Sequence, residues 1–191
     1  LYPNPASVLA FIENHDTDRF LGEGNNLPML KQASTLLLTT RRIPQLYYGT
    51  EVMMNGVKSK SDGYVRKDFP GGWTGDATNA LTPAGRTKIQ NECYDFYKTI
   101  LNWRKGNDVI AKGSMVQFMV QNGVYAYARQ YEGKTVFVML NGTDAETTVP
   151  LKFYKEILKD SKQGKDILSG KTIAFGEELK MAPRESLVIE L

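Results

Sequence analysis

The apolar residues of this chain follow two different spacings, and the change between them constrains the fold most. Up to about residue 112, short apolar runs of strand length alternate with segments whose apolar residues recur every three or four positions. Beyond that point, apolar and polar residues alternate over short segments separated by glycine-containing turns. The first pattern is typical of a parallel α/β sheet or barrel, the second of an antiparallel sandwich. The spacing therefore predicts an α/β domain over residues 1–112 and an all-β domain over residues 113–191.

Two compact apolar runs, at residues 8–12 and 43–48, predict the strands of the first domain. The first run has the length and continuity of a strand buried on both faces. Pro28 suits the first turn of a helix that continues through apolar residues spaced at helical intervals. These elements predict a strand–helix–strand unit.

A second helix is predicted to start at Thr82 and Pro83, where threonine serves as the cap and proline stands at the first position. Cys93 falls on its apolar face, where we expect it to be inert packing. Residues 52–82, before this helix, lack periodicity and predict a long loop, which in a compact domain is usually functional.

The second domain is marked by pairs of turn residues between alternating segments. Asn122-Gly123, Glu132-Gly133 and Asn141-Gly142 separate the first of these segments, and the first pair is a typical two-residue hairpin turn. Strands at roughly ten-residue spacing predict an antiparallel β-sandwich.

Composition limits the functions that this chain can have. Lys and Arg total 24 against 21 Asp and Glu, a net charge of +3 that argues against nucleic acid as a partner. The 41% of hydrophobic residues fits a globular chain better than a disordered or membrane-spanning one. A single cysteine and a single histidine, Cys93 and His15, exclude a disulfide within this sequence and a Cys- or His-rich metal site.

The polar cluster Glu13-Asn14-His15-Asp16 follows directly on the first predicted strand. Ligands of parallel α/β folds bind at the carboxyl ends of the strands, where the loops converge. Asp16 can stabilise developing positive charge, and His15 can donate a hydrogen bond to a neutral polar substrate. The alternative is that Asn14 and Asp16 only cap the next turn while His15 is a buried polar group.

Three motifs resemble those of the alpha-amylase superfamily of glycoside hydrolases. Residues 11–16, Phe-Ile-Glu-Asn-His-Asp, are similar to the motif that closes the seventh strand of its (β/α)8 barrel. Residues 43–51 are similar to the segment of the eighth strand, and residues 66–73 to a loop of the cyclomaltodextrinase and neopullulanase branch. The resemblance implies strands 7 and 8 of a TIM barrel with their helices, followed by the C-terminal antiparallel sandwich.

The resemblance also implies the chemistry of a retaining glycosidase, in which one carboxylate attacks the anomeric carbon and another protonates the leaving oxygen. Asp16 matches a third carboxylate, which stabilises the transition state, and His15 and Asn14 match the adjoining sugar-binding positions. The nucleophile and the acid/base belong to barrel strands four and five, which would precede this sequence. We therefore expect this chain alone to be inactive.

A second set of candidate sugar-binding residues lies in the predicted loop. Asp62 and Arg66 resemble an Asp-x-x-x-Arg pair that binds a distal glucose; the alternative is a surface ion pair of little energetic weight. Phe69 and Trp73 could stack on sugar rings, or could simply fill space beneath the loop.

The expected substrate is an α-glucan oligosaccharide (a maltodextrin, a cyclodextrin or pullulan) with α-1,4 links, and cleavage of α-1,6 links is left open as an addition. The competing function is a non-catalytic carbohydrate-binding or protein-interaction scaffold derived from the same family. The sequence starts with leucine and lacks a signal segment, so we expect it to be processed or cut from a longer protein.

The other expected partner is the upstream remainder of the barrel, and an oligomer is possible. We expect neither a bound cofactor nor a metal in this chain, although calcium is possible elsewhere in the parent protein. The resemblance favours the bacterial periplasm over the cytoplasm without deciding between them.

Overall fold

The computed structural model describes residues 3–22 and 24–191. The α-helices are α1 Leu27–Thr39, α2 Asp62–Val65, α3 Lys88–Arg104, α4 Asp108–Lys112 and α5 Lys155–Leu158. The strands are β1 Leu9–Ala10, β2 Ile43–Pro44, β3 Ser114–Gln117, β4 Val124–Tyr131, β5 Lys134–Asn141, β6 Thr147–Pro150, β7 Gln163–Asp166, β8 Thr172–Ala174, β9 Glu178–Met181 and β10 Ser186–Glu190. Most of the strand residues therefore lie in the C-terminal part of the chain.

The strands β1 and β2 pair in parallel, with Leu9 opposite Ile43. Both strands are shorter than the apolar runs that predicted them, and the expected burial on both faces is not observed. Leu9 is 52% exposed, Phe11 43% and Ile43 50%. Among the described residues these two strands pair only with each other, so both outer edges and much of the apolar surface lack neighbours.

Helix α1 begins where the sequence predicts, because Asn26 accepts a hydrogen bond from the backbone of Met29 and Pro28 occupies the first turn. Helix α3 begins later than predicted. Thr82 caps only a 3-10 turn, and Thr87 forms a capping box with Gln90 that starts α3 itself.

The helices α1 and α3 share an apolar core that contains Leu30, Leu38, Phe96 and Cys93. The thiol of Cys93 is fully buried there, and burial raises its pKa to about 12. Cys93 is therefore a protonated, inert packing residue, as its position on the helix indicates.

The C-terminal part forms an antiparallel sheet of six strands in the order β3-β4-β5-β10-β7-β8. Two of its hairpins turn at the predicted residue pairs. Asn122 and Gly123 have φ angles of 51° and 79°, and Glu132 and Gly133 have 47° and 79°. Positive φ at both central residues matches the right-handed twist of the paired strands.

A second antiparallel sheet, β6 with β9, closes one face of the six-stranded sheet. Val149 and Met181 of this small sheet pack against Phe137, Met139 and other apolar residues of the large one. The predicted turn at Asn141-Gly142 is not a hairpin. The side-chain amide of buried Asn141 donates to the carbonyls of Ala145 and Ala182, and the chain continues into β6.

The opposite face of the large sheet lies against α4, where Val109 and Ile110 pack on Tyr127, Val138 and Val188. Both faces of the central strands are therefore buried. This explains why the middle of β4 and most of β5 have almost no exposed residues. It also explains why apolar and polar residues alternate only in part along these two strands.

A buried arginine on β4 joins the sheet to the helices. The Arg129 guanidinium is fully buried and donates hydrogen bonds to the carbonyls of Thr39, Ile110, Gly113 and Ser114, at 2.8–3.2 Å. Thr39 and Ile110 lie in the last turns of α1 and α4, where helix dipoles favour a positive charge. Burial lowers the pKa of Arg129 to about 10, so the group remains charged at neutral pH.

Replacing this arginine should strongly destabilise the chain. Arg129→Met removes the donor from three buried carbonyls and from the partly buried carbonyl of Ser114, and each unsatisfied buried group costs about 1–3 kcal/mol. We expect the free energy of unfolding of the 191-residue chain to fall by more than about 3 kcal/mol, measured by urea denaturation followed by circular dichroism. Lys112→Met, which breaks an exposed ion pair with Asp108, is the control and should change it by less than about 1 kcal/mol. A loss below about 1 kcal/mol for Arg129→Met would contradict this assignment.

The hydroxyl of Tyr154 is buried among Phe118, Phe137 and other apolar residues and has no hydrogen-bond partner in the described part of the chain. Tyr154→Phe should therefore raise the free energy of unfolding by about 1 kcal/mol, because it removes an unsatisfied polar group. Tyr127→Phe is the matched comparison and should lower it, since the Tyr127 hydroxyl is hydrogen-bonded to Thr39 at 2.6 Å. Equal effects of the two changes in the same denaturation experiment would refute this account.

Candidate functional site

The loop after β1 holds the first group of candidate residues in a tight turn. The side-chain oxygen of Asn14 accepts a hydrogen bond from the backbone N–H of Asp16 at 2.8 Å, and the backbone N–H of Asn14 donates to Thr17 Oγ1 at 3.0 Å. The side chains of His15 and Asp16 are 59% and 58% exposed, with His15 Nε2 3.2 Å from Asp16 Oδ2. Asn14 therefore shapes the turn, whereas His15 and Asp16 are accessible to a ligand.

Arg66 connects the candidate residues of the later loop with those of the turn after β1. Its Nη2 lies 3.1 Å from Asp16 Oδ1 and 3.4 Å from Asp62 Oδ2. Its Nε donates to the backbone carbonyl of His15 at 3.0 Å. Residues that are 50 and 51 positions apart in the sequence thus form one cluster, which carries carboxylate, imidazole and guanidinium groups.

The short helix α2 explains the spacing of Asp62 and Arg66. Ser61 caps this helix by accepting a hydrogen bond from the backbone of Tyr64, and one helical turn places residues 62 and 66 side by side. Lys58 also belongs to the cluster, since its Nζ is 3.7 Å from Asp62 Oδ1 and donates to the carbonyl of Asp16 at 3.0 Å. Sequence reasoning missed Lys58, although its position four residues before Asp62 was a signal.

The two candidate aromatic residues have different surroundings. Phe69 is partly buried and packs against a small core of Val52, Met54 and Ala80. The Trp73 side chain is 68% exposed, while its backbone N–H donates to Asp76 Oδ2 at 3.1 Å. Of the two, Trp73 has the free ring surface that stacking on a ligand requires.

A buried ion pair lies beneath the exposed cluster. Glu13 and Arg19 are both 2% exposed, and Arg19 Nη1 lies 3.3 Å from Glu13 Oε1. Thr50 donates a short hydrogen bond to the same carboxylate oxygen. Sequence reasoning missed the role of Arg19, because an arginine after a polar cluster gives no sign that it will be buried.

The described residues contain no group of three or more His, Cys, Asp or Glu side chains that could hold a metal ion. Nor does any helix in the ranges 3–22 and 24–191 have the length and apolar character needed to cross a membrane.

Comparison with known proteins gives matches over both parts of the chain. Residues 115–190 match the family model of the cyclo-malto-dextrinase C-terminal domain. An alpha-amylase of Niallia circulans is 29% identical over 170 residues, which cover 85% of this chain and 29% of that protein. A cyclomaltodextrin glucanotransferase of Bacillus sp. (strain 6.6.3) is 31% identical over 170 residues, covering 84% of this chain and 21% of that protein.

Solved structures match the fold over nearly the whole chain. An Anoxybacillus alpha-amylase superposes with a TM-score of 0.77 at 21% identity, covering 99% of this chain and 39% of that one. An alpha-amylase from Geobacillus thermoleovorans, solved with acarbose, gives 0.76 at 23% identity, covering 99% and 40% of the two chains. At these identities the likeness is one of fold.

The antiparallel C-terminal domain coincides with the residues that the family model covers. The motifs and the sequence matches together are more specific: the chain is similar to proteins of the alpha-amylase superfamily. It spans 29% of the length of the Niallia circulans alpha-amylase and 22% of the length of a cyclomaltodextrin glucanotransferase of Thermoanaerobacterium thermosulfurigenes.

Arg66 should contribute little to stability, because its side chain is 41% exposed and both of its carboxylate partners are more than half exposed. We expect Arg66→Met to lower the free energy of unfolding of the 191-residue chain by less than about 1 kcal/mol. The measurement is urea denaturation, with Arg129→Met as the destabilised reference. A loss comparable with that of Arg129→Met would identify Arg66 as a structural anchor and not as a group held available for a ligand.

Proposed function

We propose that this chain is part of a retaining α-glucan hydrolase and supplies one side of its sugar-binding site. The substrates are maltodextrins, cyclodextrins or pullulan, cleaved at α-1,4 and in some cases α-1,6 links. The similarity of the chain to an alpha-amylase and to cyclomaltodextrin glucanotransferases supports a glucan hydrolase or transferase as the parent protein. The choice of hydrolysis, and of the cyclomaltodextrinase and neopullulanase branch, rests on the motif at residues 66–73.

The observation that carries the proposal is the contact of Arg66 with both Asp16 and Asp62. Two sequence motifs that were each assigned to sugar binding meet at this one guanidinium. Sugar hydroxyls both donate and accept hydrogen bonds, and carboxylates beside a guanidinium offer both types of partner. A surface ion pair formed by chance would not be expected to join two such motifs.

Each residue then has a defined role in the proposed reaction. The Asp16 carboxylate stabilises the oxocarbenium-like transition state by its negative charge. His15 donates a hydrogen bond to a hydroxyl of the same sugar, and Asn14 holds the turn that presents both groups. Asp62 and Arg66 bind a more distant glucose unit.

The exposed ring of Trp73 provides an apolar face for the C–H surface of a pyranose. Phe69, which packs against Val52 and Met54, supports the same loop from below and has less ring surface for direct contact.

The nucleophile and the acid/base are proposed to lie on the part of the protein that precedes this sequence. Retaining glycosidases need two carboxyl groups about 5–5.5 Å apart on either side of the bond that breaks. In the proposed arrangement, residues 1–112 contribute strands 7 and 8 of a (β/α)8 barrel, as β1 and β2, and residues 113–191 form the C-terminal domain. The parallel pairing of β1 with β2 supports this.

The exposed apolar residues near β1 and β2 are consistent with a barrel that other chain segments complete. Leu9, Phe11, Ile43 and Leu46 are each more than a third exposed, and unpaired strand edges promote association with other strands. The remainder of the barrel would cover this surface.

The direct test replaces Asp16 in the complete protein that contains this chain. Asp16→Asn keeps the size of the side chain and removes its charge, so we expect kcat for maltooligosaccharide hydrolysis to fall by about 10²–10³-fold, measured as reducing-sugar release. Asp160→Asn, at an exposed position in the C-terminal domain, should have no effect. Unchanged activity of Asp16→Asn would reject the proposed role. A complete protein that binds glucans but has no turnover would instead favour the non-catalytic scaffold.

The isolated 191-residue chain should release no reducing sugar from the same substrates. Turnover by this chain, after purification from any contaminating amylase, would show that its own carboxylates suffice.

A further inference from the structure

Arg19 touches none of the candidate sugar-binding side chains, yet it connects the segments that carry them. We propose that Arg19 is a positioning residue, which sets the location of Asp16 relative to Arg66 from beneath the site. This inference rests on the function proposed above and identifies what fixes the geometry of that same site.

The hydrogen bonds of Arg19 reach three separate segments. Nη1 contacts Glu13 in the loop after β1 and donates to the carbonyl of Tyr48, beyond β2, at 2.6 Å. Nε donates to the carbonyl of Val65, in the last turn of α2, at 3.1 Å. One rigid, planar group therefore determines how far apart these three segments lie.

Two aromatic rings hold the guanidinium in place. Its central carbon lies 3.9 Å from the ring centroid of Tyr47 and 4.8 Å from that of Tyr48. The Tyr48 hydroxyl donates in turn to the carbonyl of Lys67 at 2.6 Å. The segment after α2 is thus linked to the segment after β2 by this second hydrogen bond, in addition to that of Arg19.

Glu13 completes the arrangement from the other side. Its carboxylate accepts hydrogen bonds from Thr50 and from the backbone N–H of Phe20. The loop over residues 13–20, which contains Asp16, is therefore closed at both ends by one buried ion pair.

The positions of these residues in the sequence show how the buried Glu13–Arg19 ion pair affects the exposed site. Asp16 lies between Glu13 and Arg19, and Arg66 directly follows Val65, whose carbonyl Arg19 holds. A movement of either segment changes the distance between Asp16 and Arg66. Misplacing a catalytic group by about 1 Å can cost about 100-fold in rate.

The contacts of Arg19 are not those expected of a residue that only stabilises the fold. A buried ion pair is weak evidence of stabilisation, because desolvation opposes the attraction between the charges. Arg19 Nη2 is buried and has no hydrogen-bond partner within residues 3–22 and 24–191. An arginine selected only to stabilise the fold would not be expected to leave one donor unused.

Arg129 provides a matched control, since it is also a fully buried arginine that donates to backbone carbonyls but lies away from these loops. The experiment compares Arg19→Lys with Arg129→Lys in the complete protein, measuring kcat, KM and Tm. Lysine keeps the charge and lacks the fork and the planar stacking surface. We expect both variants to lower Tm, but only Arg19→Lys to lower kcat, by about tenfold or more.

A double-mutant cycle shows whether Arg19 acts through Asp16. In the Asp16→Asn background, Arg19→Lys should lower kcat by no more than about twofold, because the positioned group is already disabled. An additive effect of the two changes, or a kcat of Arg19→Lys within about twofold of wild type, overturns the proposal.

Failure of the proposed role of Asp16 and failure of the positioning role of Arg19 give different results. If Asp16→Asn itself retains activity, the proposed role of Asp16 fails, and the positioning role falls with it. If Asp16→Asn is inactive while Arg19→Lys retains its kcat, only the positioning role fails.

Glu13→Gln serves as the second variant in case Arg19→Lys does not fold. It keeps the shape of the side chain, but its amide cannot accept at both oxygen positions, so either Phe20 or the Arg19–Thr50 pair loses its acceptor. We expect the same fall in kcat together with a lower Tm, because the buried Arg19 charge loses its counter-charge and one buried donor loses its acceptor. A normal kcat for Glu13→Gln counts against the proposal.

Discussion

The structure depends on the burial of a guanidinium that is compensated by backbone carbonyls instead of a carboxylate. Arg129 stands on a central strand of the large sheet and gathers the ends of α1 and α4 and the start of β3. A charge in this position is tolerated because four backbone carbonyls accept its hydrogen bonds. The antiparallel domain and the helices that precede it are thereby held as one unit.

The candidate site uses the same type of interaction for a different purpose. Arg19 also donates to backbone carbonyls, but the segments that it joins, around Tyr48 and Val65, are loops and a single helical turn. Such segments have little core of their own and would otherwise vary in position. The exposed side chains of His15, Asp16 and Arg66 can then remain accessible to a ligand while the buried contacts of Arg19 hold their spacing.

Features set by neighbouring residues could be predicted from the sequence. The turns at Asn122-Gly123 and Glu132-Gly133 and the start of α1 follow from local backbone preferences, and the structure agrees with them. The strands β6 and β9 were missed, because they are four residues long and are stabilised by packing against distant strands. The start of α3 was misjudged because two threonine caps lie five residues apart. The candidate residues could be named, but their contact through Arg66 spans about 50 positions and required the structure.

A crystal structure of the complete protein with a bound maltooligosaccharide would test the central claim most directly. The account predicts a sugar hydroxyl within about 3 Å of the Asp16 carboxylate and a second contact from His15. It also predicts that Arg66 binds a neighbouring glucose unit. An oligosaccharide that occupies the catalytic cleft without approaching Asp16, His15 or Arg66 would contradict the account.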